Sequence, residues 1–213
     1  MTRAIYARLA ELASHIRIAL SRTMTGRNFP ATFFDKLYTK QADPWSYKGS
    51  ELSERRRDLI LQALPRKAYL SLLEIGCAEG WMSPMLASRA ERFTGLDISK
   101  CALERALTEC ASLGNVKLLR GDIVADEILG QFDAIVCAGV LVYVAPESQT
   151  AARDKLVAAL RPGGNLVLEN HMGEYVGQVA GPIIHATFAG HRALTLLSYE
   201  VGEGYCVSVF RKE

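Results

Sequence analysis

An acid and two glycines in one short segment carry the strongest chemical signal of the sequence. In Leu72–Gly80 an apolar run ends in Glu74, and a turn with Gly76 and Gly80 follows at once. Glycines let a ligand approach the backbone closely because no Cβ intervenes. Free N–H groups at a helix start favour an anionic group, and the acid can accept hydrogen bonds or balance a cation. The segment predicts a ligand with both anionic and cationic groups.

Three kinds of glycine loop compete for this segment. A phosphate-binding P-loop needs G-x-x-x-x-G-K-[ST], which the spacing from Gly76 to Gly80 and the following Trp81 exclude. A dinucleotide loop needs G-x-G-x-x-G, and Ala78 stands at the second glycine. The pattern that remains is E-x-G-C-x-x-G, with Cys77 as a small packed residue that has no neighbouring His to activate it as a nucleophile.

Alternating strands and helices must position this loop. Near-continuous apolar runs separated by helical segments predict a parallel sheet covered on both faces. The predicted strands are Ser71–Ile75, Arg92–Leu96, Val116–Arg120, Phe132–Cys137 and Leu166–Glu169, and the predicted helices are Met82–Ala90, Cys101–Ala111 and Arg153–Leu160. Two β-type runs at the end, Leu194–Glu200 and Tyr205–Arg211, leave no room for a helix between them and predict an antiparallel hairpin.

The front of the chain reads as a separate helical segment. Apolar residues at three- to four-residue spacing predict a helix over 2–21, and Phe33–Tyr38 predicts a short one. Ser50 is placed to cap a helix that ends near Leu64. We expect two parts, a helical extension over 1–67 and a doubly wound α/β domain over 68–213.

Composition and charge restrict the class of protein. The chain has 213 residues, a net charge of +2 and no apolar run long enough to span a bilayer. Its five cysteines form no C-x-x-C pair, which favours buried reduced thiols and a cytoplasmic location. The charge is uneven, at +7 over 1–67 and −5 over the rest. A basic front half is either a solvated face or a surface for an anionic partner.

Five motifs in order resemble those of class I S-adenosylmethionine-dependent methyltransferases. They are Glu74–Gly80, Gly95–Ser99, Arg120–Ile123, Phe132–Cys137 and Leu160–Gly164. The terminal hairpin also matches that family, which adds an antiparallel seventh strand. The resemblance implies a doubly wound, mostly parallel seven-stranded sheet with a helical N-terminal cover, and S-adenosylmethionine as the cofactor.

The front segment resembles the nodulation protein S branch of that family. The similar residues are Phe34–Tyr38, Asp43–Tyr47, Ser50 and Glu54–Arg57. Members of this branch are bacterial small-molecule N-methyltransferases that act on chitooligosaccharide amines. The resemblance implies an acceptor of small or medium size, with an amine favoured and a hydroxyl possible.

The resemblance also implies a role for individual residues. Asp97 can accept hydrogen bonds from both ribose hydroxyls, Asp122 from the adenine amino group, and Glu74 meets the methionine ammonium. Trp45 and Tyr47 become a lid over the cofactor, where an aromatic face attracts a sulfonium, and Arg56 meets the cofactor carboxylate. The alternatives without a role in cofactor binding are a helix cap for Asp97, a solvated loop position for Asp122, and core packing for Trp45 and Tyr47. The cofactor set is completed by Gly76, Cys77, Ala78, Gly80, Ile98, Ile123, Ala138 and Val140.

The catalytic candidates follow from the position of the ligand in such sheets. Ligands bind outside the carboxyl ends of the strands, where His171 is the only histidine at a strand end. We therefore predict His171 or Tyr143 as a general base, against a structural histidine. Two other functions stay open, a nucleic-acid methyltransferase that uses the basic front half and a non-catalytic cofactor-binding protein. We expect a small-molecule substrate, no membrane partner and no metal, with a monomer or homodimer equally open.

Overall fold

Seven strands form a single sheet in this computed structural model, which describes residues 27–173 and 178–213. The strand order is β3-β2-β1-β4-β5-β7-β6, and β7 alone runs antiparallel to its neighbours. The strands are β1 Tyr69–Ile75, β2 Ala90–Asp97, β3 Val116–Arg120, β4 Phe132–Ala138, β5 Leu160–His171, β6 Leu194–Val201 and β7 Tyr205–Lys212. The helices are α1 Ala31–Lys40, α2 Glu51–Ala63, α3 Ser83–Ala87, α4 Lys100–Glu109, α5 Gln149–Ala159 and α6 Gly181–Ala189, with short 3-10 turns at Leu141–Tyr143 and Pro146–Ser148.

The central strands are buried on both faces, as their continuous apolar runs predict. In β1, Leu73 joins a core cluster with residues of α5 and α6. Its neighbour Leu72 points to the opposite face and joins a cluster that includes Ile60 of α2 and Leu86 of α3. Successive side chains of a strand point to opposite faces of the sheet, so each central strand contributes side chains to both hydrophobic clusters. The doubly wound fold and the terminal hairpin are therefore confirmed.

Two predicted elements have boundaries that differ from the structure for reasons of strand pairing. The helix predicted over Met82–Ala90 is only Ser83–Ala87, because Ala90 already pairs with Tyr69 at the start of β2. The strand predicted over Leu166–Glu169 is the middle of the longer β5, which has β4 on one side and β7 on the other. The helix predicted over 2–21 lies outside the described residues.

One hydrogen-bonded contact caps a front helix, and another fixes the front segment to the sheet domain. Ser50 caps α2 by accepting a hydrogen bond from the Ser53 N–H at 3.3 Å. In α1, the Asp35 carboxylate accepts from the Ser99 hydroxyl at 2.7 Å and from the Cys101 N–H at 3.3 Å. Because Ser99 itself caps α4, α1 is anchored where β2 passes into α4.

The cysteine prediction is confirmed, since all five thiols are free and four of them are buried. Within residues 27–173 and 178–213, no helix combines the length and apolar character that a membrane span requires.

The hairpin core yields a stability prediction. Phe210 of β7 is fully buried, with its ring centroid 6.1 Å from that of Phe188 in α6. Phe210→Ala should lower the free energy of unfolding by about 3–5 kcal/mol, because it leaves a cavity between the sheet and α6. Urea unfolding followed by circular dichroism measures this. Leu197→Ala, at a side chain 44% exposed, is the matched control and should stay within about 0.5 kcal/mol; equal losses in both variants would contradict this packing.

Candidate active site

A cavity of about 790 Å³, including its open mouth, lies at the carboxyl ends of β1, β2 and β4. Its size suits a small-molecule ligand. Eleven of the sequence-predicted site residues line it: Trp45, Tyr47, Gly76, Ala78, Asp97, Ile98, Asp122, Ile123, Ala138, Val140 and Tyr143. The parallel strands bring together residues that stand nearly a hundred positions apart in the sequence.

Asp97 occupies the centre of this wall and ties two loops together. One carboxylate oxygen accepts a hydrogen bond from the Ala78 N–H and the other from the Ser99 N–H, both at 2.8 Å. Asp97 is not the N-cap of α4, because the Ser99 side chain caps that helix. Burial raises the pKa of Asp97 to about 6, against the lowering effect of the two N–H groups. Each oxygen retains lone-pair capacity to accept a hydroxyl from the cavity.

Part of the cavity lining is apolar. Ile98, Ile123 and Val124 belong to it, and Ile123 is only 6% exposed. Asp122 lines the same cavity, and one of its carboxylate oxygens accepts the Val124 N–H at 2.8 Å. An apolar lining with an acceptor beside it fits a planar base with an exocyclic amino group.

Two glycines shape the loop after β1 for different reasons. Gly76 has φ +74°, and a Cβ there would clash with the Val140 side chain across the cavity. Gly80 has φ +81° and does not line the cavity; a Cβ there would lie 3.1 Å from the Ala106 Cα of α4. Gly76 therefore lets the Val140 side chain pack directly against the loop, whereas Gly80 allows the loop to pack on α4.

A smaller cavity of about 380 Å³ continues the first one past the glycine loop. The two share Tyr47, Gly76, Ala78 and Ala138. The smaller one adds three more predicted residues, Arg56, Glu74 and Cys77. Burial raises the pKa of the Cys77 thiol well above its usual value, so Cys77 is a packed neutral group here.

Arg56 does not stand alone at this end. Its guanidinium forms an ion pair with Glu169 of β5, whose side chain is fully buried. The guanidinium also lies 5.7 Å from the centroid of the Tyr47 ring. Glu169 is a residue that the sequence analysis missed, although an acid near the end of an otherwise apolar strand was a visible signal. No spacing or motif in the sequence indicates that Arg56 is the partner of Glu169.

Two further acids are buried around the glycine loop. Glu74 accepts a hydrogen bond from the Ser83 hydroxyl at 2.5 Å, and burial raises its pKa to about 8. Glu79, also missed in the sequence, is 4% exposed, and burial raises its pKa to about 7. Neither of its carboxylate oxygens has a hydrogen-bond partner among the described residues. Near neutral pH these acids are therefore largely protonated, and a cationic ligand beside them would favour their charged forms.

Aromatic side chains from the front segment cover the cavity mouth. The Trp45 indole N–H donates to the Tyr38 hydroxyl at 2.9 Å, and the Trp45 and Tyr143 ring centroids lie 5.8 Å apart. Tyr47 stacks on Trp81 with centroids 5.0 Å apart. Both predicted lid aromatics thus line the cavity while they pack against other rings. Tyr38, which had been assigned only to a short helix, belongs to the same wall.

The two predicted bases differ in position. Tyr143 lines the main cavity, and burial raises the pKa of its phenol far above the usual range. Its hydroxyl can donate a hydrogen bond, but it is a poor proton acceptor at neutral pH. His171 pairs with Tyr205 at the end of β5 and is not among the described residues that line the cavity.

Comparisons with known proteins agree with this geometry. The model of the family described as Nodulation protein S (NodS) matches residues 35–188. Nodulation protein S of Bradyrhizobium diazoefficiens is 34% identical over 128 residues, which are 59% of this chain and 61% of that protein. A ubiquinone biosynthesis O-methyltransferase of Alkalilimnicola ehrlichii is 29% identical over 55% of this chain and 48% of its own length.

A solved structure extends the comparison to nearly the whole domain. The N-methyltransferase NodS from Bradyrhizobium japonicum WM9, in complex with S-adenosyl-L-homocysteine, superposes with a TM-score of 0.76 and 26% identity. The match covers 85% of this chain and 97% of that one.

The strand order and the match to the solved relative place this chain among the class I S-adenosylmethionine-dependent methyltransferases, as the five sequence motifs predict. Within that class, the chain belongs to the nodulation protein S family, because the family match spans most of its length. The chain spans only about half to three fifths of the length of the curated relatives it matches.

The buried acids predict how stability depends on pH. The pKa values of Asp97, Glu79 and Glu74 are raised to about 6, 7 and 8, whereas in an unfolded chain such acids titrate near pH 4. Between these limits the folded state binds more protons than the unfolded state, so the free energy of unfolding must fall as pH rises. Urea unfolding of the ligand-free protein between about pH 5 and about pH 8 should show this decline.

Two variants test whether Glu79 contributes to this fall of the free energy of unfolding with pH. Glu79→Gln should flatten the decline, because it removes one of the raised pKa values. Glu203→Gln, in the exposed turn of the hairpin, should leave the decline unchanged. A stability that rises with pH over this window would contradict the burial of these acids.

Proposed function

We propose that this protein transfers a methyl group from S-adenosylmethionine to an amine nitrogen of a small or medium polar acceptor. The observation that carries the proposal is Asp97, a buried carboxylate that faces the cavity between the two loops after β1 and β2. The S-adenosyl-L-homocysteine bound to the Bradyrhizobium relative supports the same ligand class here.

The residues present fit this cofactor. Asp97 would accept the ribose hydroxyls, and the apolar lining of Ile98 and Ile123 would hold the adenine, with Asp122 beside it. Gly76 and Ala78 of the loop after β1 line the cavity, so the loop backbone would lie against the ligand. Arg56 would meet the methionine carboxylate from the smaller cavity, where its Nε has no partner among the described residues.

When bound, S-adenosylmethionine supplies a methyl group on a positively charged sulfur, which is already a good leaving group. The chain's own residues therefore mainly orient the acceptor and exclude water. Alignment of two reactants can lower a barrier by roughly 7–11 kcal/mol in favourable cases. The ring packing of Trp45, Tyr38 and Tyr143 over the cavity suits this task.

The amine acceptor follows from the family. The solved relative is an N-methyltransferase, and the branch that the front segment resembles acts on amino-sugar oligomers. An amino sugar or a similar metabolite is therefore the acceptor we favour. The relative that is an O-methyltransferase keeps a hydroxyl acceptor as the second candidate. A division of the chain near residue 67 into a lid segment and a methyltransferase domain belongs to the same proposal.

Matched substrates test this function. The protein with S-adenosylmethionine should add one methyl group to a chitooligosaccharide that carries a free amine, as detected by mass spectrometry. The fully N-acetylated oligosaccharide is the control and should not react. We expect a rate that depends little on salt, because a sugar acceptor needs no phosphate contacts. Methylation of RNA or DNA with a steep salt dependence would instead support the nucleic-acid alternative. Cofactor binding without turnover on any acceptor would favour a non-catalytic role.

A further inference from the structure

The Trp81 side chain stands at the end of the glycine loop, beside the smaller cavity. It is partly buried, packs against the core cluster that includes side chains of α2 and α3, and lines that cavity. Hydrogen bonds close the loop that carries it. The Gly80 N–H donates to the Cys77 carbonyl oxygen at 2.8 Å, and the Ala78 N–H donates to the Asp97 carboxylate. Trp81 is therefore attached to a well-fixed part of the sheet domain.

Trp81 is packed between two side chains of the front segment. The Trp81 and Tyr47 rings are stacked, with their centroids 5.0 Å apart and their planes 14° apart. The Arg57 guanidinium of α2 lies 5.2 Å from the centroid of the Trp81 ring. Asp58 accepts hydrogen bonds from Nε and from one terminal nitrogen of that guanidinium, at 3.0 and 2.9 Å. Ring stacking and a cation over an aromatic ring are both attractive, so this contact joins the front segment to the glycine loop.

The backbone and the ring of Tyr47 are held by different groups. The Asp43 carboxylate accepts the Tyr47 N–H at 2.9 Å and the Lys48 N–H at 2.8 Å, which fixes the turn. These hydrogen bonds leave the side-chain torsions of Tyr47 undetermined. The stack with Trp81 sets the plane of the ring, and the Arg56 guanidinium lies 5.7 Å from its centroid. Because Tyr47 lines both cavities, the direction of its ring decides how the two are connected.

We propose that Trp81 is a positioning residue for the cofactor, because its stack on Tyr47 holds that ring as a lid where the two cavities meet. The inference rests on the proposed methyl transfer, in which the adenosine lies in the main cavity and the methionine part reaches the smaller one. Without the stack, the Tyr47 ring also occupies other rotamers. Only the fraction of molecules with the ring in place then binds the ligand fully, and the apparent affinity falls with that fraction.

Calorimetric titration with S-adenosylhomocysteine tests this role. Trp81→Leu should weaken binding by about 3- to 10-fold, the range that corresponds to an aromatic pair. Trp81→Phe keeps a ring for the stack and should recover most of the lost affinity. Leu107→Ala, at a side chain of α4 that is 59% exposed, is the control and should match the wild type. Wild-type affinity in Trp81→Leu overturns the inference.

A double-mutant cycle separates positioning from a direct contact of Trp81 with the ligand. Tyr47→Leu should itself weaken binding of S-adenosylhomocysteine. Because Trp81 acts through Tyr47, the addition of Trp81→Leu to Tyr47→Leu should change the affinity by less than about 2-fold. Losses that add in the double variant, or an unchanged affinity in Tyr47→Leu, overturn the inference.

A crystal structure of the unaltered protein with S-adenosylhomocysteine covers the case in which Trp81→Leu does not fold. The Tyr47 ring should contact the ligand where the cavities meet, with its centroid still within about 7 Å of that of Trp81. A ligand that does not contact Tyr47, or a Tyr47 ring turned away from Trp81, overturns the inference while leaving the methyl transfer intact. If the wild type binds no S-adenosylhomocysteine, the proposed function itself fails.

Discussion

The Asp97 carboxylate is the contact on which the rest of the site depends. Its two oxygens bind the Ala78 and Ser99 N–H groups and so join the glycine loop to the start of α4. Ala78 has φ +51°, a backbone conformation that costs a non-glycine residue on the order of 1–3 kcal/mol. A charge-assisted hydrogen bond offsets such strain. The loop therefore keeps its cavity-forming shape because a buried acid on the neighbouring strand holds it.

A second buried charge joins the front segment to the sheet. Arg56 of α2 forms an ion pair with Glu169 of β5. Asp35 of α1 accepts a hydrogen bond from the Ser99 hydroxyl, next to the end of β2. Buried ion pairs contribute little net stability, because desolvation offsets the attraction. The Arg56–Glu169 pair therefore fixes the position of α2 on β5 more than it adds to the free energy of unfolding.

The sequence predicted the sheet and many of the residues that line the two cavities, for a local reason. The site residues near the glycine loop lie at or just after the ends of strands: Glu74, Gly76, Asp97 and Asp122. Strands can be predicted from apolar runs that are bounded by turn residues. The parallel arrangement then brings the strand ends to one edge. Helix boundaries were less predictable, because pairing of Ala90 with Tyr69 decides where α3 ends.

The Arg56–Glu169 ion pair could not be predicted from the sequence, because it depends on a contact between distant segments. Glu169 and Arg56 lie 113 residues apart, and no spacing rule connects them. His171 was selected for its residue type at a strand end, and the same strand carries the buried acid two positions earlier.

The central claim is that Asp97 builds a site for S-adenosyl ligands, and calorimetric titration with S-adenosylhomocysteine tests it most directly. The wild type and the exposed control Glu203→Gln should bind one equivalent with equal affinity. Asp97→Asn offers one acceptor oxygen in place of two and carries no charge, so its affinity should fall by about 10-fold or more. Unchanged affinity in Asp97→Asn, or binding of a nicotinamide dinucleotide in place of S-adenosylhomocysteine, would contradict the account.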